Sequence, residues 1–209
     1  MIRLTDYIAQ FSRSALAPWA DLTPWALATQ APAVVRQLLA RLPADEYIIQ
    51  DEIAIHRTAT VEAGALLKPP LIIGAHCFIA SGSLLRGGCW LDEHCIIGPG
   101  AELKTSFMFS GSKLAHFNFV GDSVLGHRIN LEAGSIVANY RNERDDKEVR
   151  VRVDGTLQRT GCDKFGALLG DQCLIGANAV LAPGALLKAG SVVGRGRVFD
   201  CESNADIYT

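Results

Sequence analysis

The stretch Ile79-Ala-Ser-Gly-Ser-Leu-Leu85-Arg-Gly-Gly-Cys-Trp-Leu91-Asp-Glu-His-Cys-Ile-Ile97 places a large apolar residue at every sixth position. The same period runs back through Ile73, Leu67 and Val61 to Ile55 and forward through Leu103 to Phe109. Four positions after most of these anchors comes a small residue: Ala59, Ala65, Cys77, Ser83, Cys89, Cys95 and Ala101. An amphipathic helix repeats every 3.6 residues and a half-buried strand every two, so neither explains a period of six. A parallel β-helix of hexapeptide repeats does. Each hexad is then one short strand and one corner, the anchor points into a prism, and the small residue sits where the chain turns.

The period returns at Phe119, Leu125, Leu131 and Val137, and again at Leu169, Ile175, Leu181, Leu187 and Val193. The ten-residue step from Phe109 to Phe119 and the stretch from Tyr140 to Lys164 depart from it, and both are expected as loops leaving the coil. Within an insertion over 141–162, the segment Lys147 to Arg159 reads as a protruding β-hairpin: Val149, Val151 and Val153 alternate with charged residues, and Asp154-Gly155 is a tight-turn pair. A self-contained arm of this kind would clasp a neighbouring subunit or cover a site. Residues 1–50 differ in kind. Leu4, Ile8, Phe11 and Ala15 fall on one face of a helix expected from Leu4 to Ser14, and a second is expected from Pro32 to Leu42. Together they are expected to cap the open end of a solenoid domain over 51–199, which a tail over 200–209 follows.

A chain of 209 residues, 49% hydrophobic and 20% charged, suits one domain with a substantial core. A net charge of -2 speaks against a nucleic-acid partner. No apolar run approaches a membrane span, and Met1 to Gln10 lacks the continuous apolar segment of a signal peptide, so a cytoplasmic protein is expected. Cys77, Cys89, Cys95 and Cys173 share the small slot of their hexads, which makes them packing residues with reduced thiols. No CxxC pair supports zinc, and no two of His56, His76, His94, His116 and His127 stand five apart as in hexapeptide-repeat carbonic anhydrases. His76 and His94 are expected as exposed, stacked residues. No metal is expected.

Lys68, Arg86 and Lys104 each directly follow an anchor and stand eighteen apart, which would align three cations in one column. Like charges opposed on adjacent strands repel. The column therefore suggests an anion that satisfies it, with arginine suited to bidentate phosphate contact.

The run Lys104-Thr-Ser-Phe-Met-Phe-Ser-Gly-Ser-Lys113-Leu-Ala-His116-Phe-Asn-Phe119-Val-Gly-Asp-Ser-Val-Leu-Gly126, continued by Asn130-Leu-Glu-Ala133-Gly-Ser-Ile-Val-Ala-Asn139-Tyr140, carries a resemblance. It is similar to the acetyltransferase half of bifunctional glucosamine-1-phosphate acetyltransferase/uridyltransferases, and more so to the archaeal-type sugar-1-phosphate nucleotidyltransferase/acetyltransferases. Those chains also continue through a charged hairpin into a stretch like Gly161-Cys-Asp-Lys164-Phe-Gly-Ala-Leu-Leu-Gly170. The similarity spans about residues 55 to 195. It implies a left-handed coil and a homotrimer with sites between subunits, with acetyl-coenzyme A as cosubstrate. It places His116 on the catalytic base, Arg86, Lys104 and Lys164 on cations that hold the sugar phosphate, Asn130 on a sugar contact, and Ala133, Asn139, Tyr140 and Ala177 around the coenzyme. A tyrosine that contacts the sugar in the family is Phe119 here, a serine near the acyl end is Ala177, and no stretch of these 209 residues resembles the nucleotidyltransferase half.

The implied chemistry needs few groups. A neutral imidazole at His116 takes a proton as an amine attacks the thioester carbonyl, and donors from the solenoid wall, a backbone N–H or Asn139, face the oxyanion. The expected function is acetyl-coenzyme A-dependent N-acetylation of an amino-sugar phosphate or nucleotide sugar. An acyl-carrier-protein-dependent acyltransferase and a catalytically silent sugar-phosphate-binding trimer are the alternatives.

Overall fold

The computed structural model describes residues 2–203. The chain winds as a left-handed parallel β-helix of three faces. The first face has eight strands: Tyr47–Gln50, antiparallel at the edge, then Ile53–His56, Leu71–Ile73, Cys89–Leu91, Phe107–Met108, Val124–Leu125, Ala167–Leu169 and Ala185–Leu187. The second face runs in seven strands from Thr60–Val61 to Val192–Val193, and the third in seven from Leu66–Leu67 to Val198–Phe199. Each coil strand points one residue inward, or two where it is three residues long as in Leu71–Ile73, and these stack into a core that includes Ile73, Ile79, Leu85, Leu91, Ile97, Leu103, Leu131, Val137 and Ile175. Among the described residues, no helix is long and apolar enough to cross a membrane.

The expected loop between Phe109 and Phe119 is absent. Met108, not Phe109, points inward, and Val120, not Phe119, does so on the third face. Met108 pairs with both Leu91 and Leu125, and Leu103 pairs with Val120, so these coils hold seventeen residues instead of eighteen. Two corners have each lost one residue, and their positive φ angles, 51° at Thr105 and 47° at Asp122, mark the tighter turns. The strands Phe107–Met108, Lys113–Leu114 and Phe119–Gly121 continue the three faces without interruption.

Most of residues 1–50 do not cap an end; only the strand Tyr47–Gln50 covers an open edge, by pairing with Ile53–His56. The helix expected from Leu4 to Ser14 is replaced by short 3-10 turns at Leu4–Asp6 and Phe11–Arg13, with a third at Ala17–Trp19. A short helix, Pro24–Thr29, follows an N-cap at Thr23, and the expected 32–42 helix forms as Ala31–Leu39. This whole layer lies on the outside of the first face. The outward residues there, Ile72, Trp90, Phe107, Val124 and Leu168, are apolar, and a face of that composition needs cover. Phe11 packs against Phe109 with ring centroids 5.6 Å apart, and Trp90 meets Phe109 edge-on at 5.3 Å. The carboxylate of Asp171 fastens the layer by accepting from the backbone N–H of Ala9 at 3.0 Å and of His127 at 2.8 Å. Gly88 lets the helix Ala31–Leu39 approach: a Cβ there would lie 2.7 Å from the backbone nitrogen of Pro32.

The hairpin forms at Arg150–Val153 and Thr156–Arg159, with positive φ at both Asp154 and Gly155, as a twisted two-residue turn requires. It is not the self-contained arm expected. Val149 and Val151 are fully buried in the same outer core as the N-terminal layer. On the opposite side Arg150 pairs with Asp146 at 2.8 Å, and Arg152 Nε donates to the carbonyl of Cys201 at 2.7 Å. Arg141, buried at the start of the insertion, binds both carboxylate oxygens of Asp200 at 2.7 Å and the carbonyl of Pro183 at 3.0 Å. Residues 200–203 of the expected tail are therefore held, while 204–209 lie outside the described residues.

Two outcomes follow from this packing. Phe11→Ala should lower unfolding stability by about 3–5 kcal/mol, the cost of emptying a packed aromatic site, measured by urea denaturation; a change under about 1 kcal/mol would show that the layer is only loosely applied. Cys89 and Cys173 are free, buried thiols whose burial pushes each up to about 11. The unfolded chain ionises them near about 8.5 while the folded chain keeps them protonated. Stability should thus be full below about pH 8.5 and fall as pH rises toward 11, with melting temperatures at pH 7.5 and 10 as the measurement.

Candidate active site

The column of cations exists. Lys104 pairs with Arg86 across the third face, and the N–H of Lys68 bonds to the carbonyl of Leu85 one coil earlier. The charges are answered within the chain rather than left open for an anion. Arg86 binds a carboxylate oxygen of Glu102 through Nε and Nη2, both at 2.7 Å. Lys104 Nζ lies 2.7 Å from Oδ2 of Asp122, in a pair whose side chains are 17% and 8% exposed. The same oxygen accepts from Nδ2 of Asn139. Lys68 and Lys164 are exposed, and neither has a carboxylate partner among the described residues.

Around Asp122 the chain is drawn together from three coils. Its N–H donates to the carbonyl of Lys104 at 2.8 Å, and its own carbonyl accepts from Gly166 at 3.0 Å. The N–H of Phe165, next to Lys164, donates to the carbonyl of Asn139 at 3.1 Å. A Cβ on Gly121 would fall 2.7 Å from Asn139 Nδ2 and 2.9 Å from Phe119 Cζ, so the aromatic ring and the amide close over a position with no side chain. Lys104, Phe119, Asn139 and the backbone of Lys164 therefore meet at the corner where the third face turns into the first. Tyr140 follows, half exposed, with Lys147 Nζ 5.3 Å from its ring centroid.

His116, Ala133 and Ala177 occupy the other edge of the third face. The N–H of Gly134 donates to the carbonyl of His116, that of Asn178 to Ala133, and that of Gly196 to Ala177, so the three succeed one another, coil upon coil, along the corner after the second face. His116 is exposed and no side chain bonds to its ring among the described residues; Phe117 beside it, with φ of 52°, is 71% exposed. The N–H of Ala177 is taken by Glu132 at 2.9 Å, and Glu132 also pairs with Arg195 at 2.8 Å. Asn130 lies apart on the second face, in a shallow cleft of about 260 Å³ shared with Leu174, Val192 and Arg195.

One chain thus holds most of the expected residues in two groups, on the two corners that bound the strand Phe119–Gly121, with Asn130 apart from both. His116 and Asp122 are six residues apart, about 20 Å of extended chain at most. A deeper cleft of about 600 Å³, between Arg13 and Ser14 of the N-terminal layer and Asp92, His127 and Arg128, contains none of them. Sequence reading missed Asp122, Glu102 and Glu132. His76 and His94 stack as expected, with ring centroids 4.8 Å apart.

The repeat, the coil and its three faces make this chain a hexapeptide-repeat protein, and residues 70–105 match the family described as bacterial transferase hexapeptide (six repeats). Over 186 residues it is 34% identical to a bifunctional sugar-1-phosphate nucleotidylyltransferase/acetyltransferase of Sulfurisphaera tokodaii, covering 85% of this chain and 45% of that one. To the bifunctional protein GlmU of Desulfitobacterium hafniense it is 30% identical over 173 residues, 79% of this chain and 34% of the relative. The chain therefore spans less than half the length of these relatives. Among solved structures, AntD, an N-acyltransferase from Bacillus cereus in complex with dTDP and 3-hydroxybutyryl-CoA, is similar with a TM-score of 0.39 at 14% identity, covering 73% of this chain and 71% of that one.

Proposed function

We propose that the protein is an acyltransferase: an acetyl-coenzyme A-dependent N-acetyltransferase for an amino-sugar phosphate or nucleotide sugar, working as a homotrimer with its sites in the grooves between subunits. The observation that carries this is the succession of His116, Ala133 and Ala177 along one corner, in a chain whose relatives include a bifunctional sugar-1-phosphate nucleotidylyltransferase/acetyltransferase. With no side-chain partner, the His116 imidazole is free to take a proton from the attacking amine. The amine nitrogen bonds to the thioester carbonyl carbon, the carbon–sulfur bond then breaks, and the imidazolium returns the proton to the leaving thiolate of coenzyme A. Phosphate recognition falls first to Lys164, because Arg86 and Lys104 already face carboxylates while Lys164 does not.

The test is thiol release from acetyl-coenzyme A in the presence of phosphorylated amino sugars. His116→Ala should lower the rate by roughly 10²- to 10⁴-fold, the usual worth of a general base, while sedimentation still finds a trimer; release within a few-fold of the parent rate would remove His116 from the mechanism. A wild-type protein that binds the sugar phosphate yet releases no coenzyme A would be a silent binder. Lys164→Ala should raise the KM for the phosphorylated acceptor by about 10-fold, the loss of one charge-assisted hydrogen bond, and leave that for acetyl-coenzyme A unchanged. Equal rises for both substrates would place the phosphate elsewhere.

A further inference from the structure

We infer that Asp122, whose one carboxylate oxygen holds both Lys104 and Asn139, is a positioning residue: it turns the oxygen of the Asn139 amide toward the ligand and masks the charge of Lys104. The inference rests on the acyltransferase function proposed above and concerns how that site selects what it binds.

Three observations support it. Asp122 is 6% exposed, so its carboxylate is answered by protein rather than water. It is answered by Lys104 Nζ at 2.7 Å and by Asn139 Nδ2, and by no other side chain among the described residues. An amide presents nitrogen donors on one side and an oxygen acceptor on the other, and only the nitrogen can face a carboxylate. With Nδ2 committed to Asp122, Oδ1 of Asn139 points away from it, and no donor in the chain reaches that oxygen among the described residues. The site then offers an acceptor where the sequence alone suggested a donor for the oxyanion, and an acceptor selects a ligand group bearing N–H or O–H. Gly121 leaves the amide room to lie flat against the strand, and the backbone bonds from Gly166 to Asp122 and from Phe165 to Asn139 fix the two residues to the same stack. Lys104, for its part, meets an incoming phosphate as half of a neutral pair. Removing the carboxylate should therefore act oppositely on the two neighbours: Asn139 loses its orientation, and Lys104 gains a free charge.

Asp122→Asn tests this, since asparagine tolerates the positive φ of 47° and keeps the shape of the side chain. In the full-length protein, kcat should fall by about 10-fold or more, while the KM for the phosphorylated acceptor stays level or drops. A residue that merely supported the fold would not split the two constants in this way. Side-chain amide signals in ¹⁵N-resolved NMR give a readout independent of activity: the Asn139 pair should shift in Asp122→Asn and stay in place in Glu102→Gln. An unmoved Asn139 signal in Asp122→Asn, or an unchanged kcat, overturns the assignment. If the wild-type protein transfers no acyl group, the proposed function fails, and the NMR comparison still decides for or against Asp122.

Discussion

The rest of the structure depends on one constraint: every strand stacks in register on its counterpart a coil away, so each inward side chain rests on the ones above and below. With strands about 4.8 Å apart each inward side chain touches its counterparts directly, and three faces in an eighteen-residue coil set the period of six. It also fixes what lies outside. Because Leu85 lies over Leu67 and Leu103 over Leu85, the residues after them form a column whether or not their charges agree. The protein resolves the conflict with Glu102 and Asp122, placed beside the column, and the acid–base pairs that result form one edge of the candidate site.

Much of the coil was legible because apolar anchors and small corner residues alternate with polar ones. The register at 109 and 119 was not, because Met108-Phe109 and Phe119-Val120 are both apolar pairs, and a period cannot say which member faces in. Only the shortening of two corners decides it, and that is a property of the backbone. The outer layer left a trace that was passed over: Ile72, Trp90, Phe107 and Val124, one position before the anchors and seventeen or eighteen apart, form a second apolar series on the outside of the first face. The N-terminal residues failed to read as 3-10 turns because a pattern such as Leu4, Ile8, Phe11 serves any segment that buries one side. Likewise, Val149 and Val151 reveal a hairpin but not the surface it covers.

For the candidate site, residue types were visible and partners were not. Lys104 and Asp122 are eighteen apart in sequence, which in an eighteen-residue coil would set them one above the other; the seventeen-residue coil moves Asp122 onto the corner beside Lys104. Asn139 could be singled out from its motif, yet the direction of its amide depends on that same displaced carboxylate. Arg86, Lys104 and Lys164 look equivalent as cations, and the structure separates two neutralised ones from one facing solvent.

The bond from Ala9 to Asp171 spans 162 residues and orders events during synthesis. The N-terminal layer is made before the surface it covers, which is assembled coil by coil, and its tie to Asp171 closes only when that residue has left the ribosome. At roughly 5–20 residues per second, the N–H of Ala9 waits about ten to thirty seconds for that carboxylate, and Phe11 waits a little over half as long for Phe109. During that interval the growing solenoid has an uncovered apolar face and an open strand edge, both of which favour association with other chains.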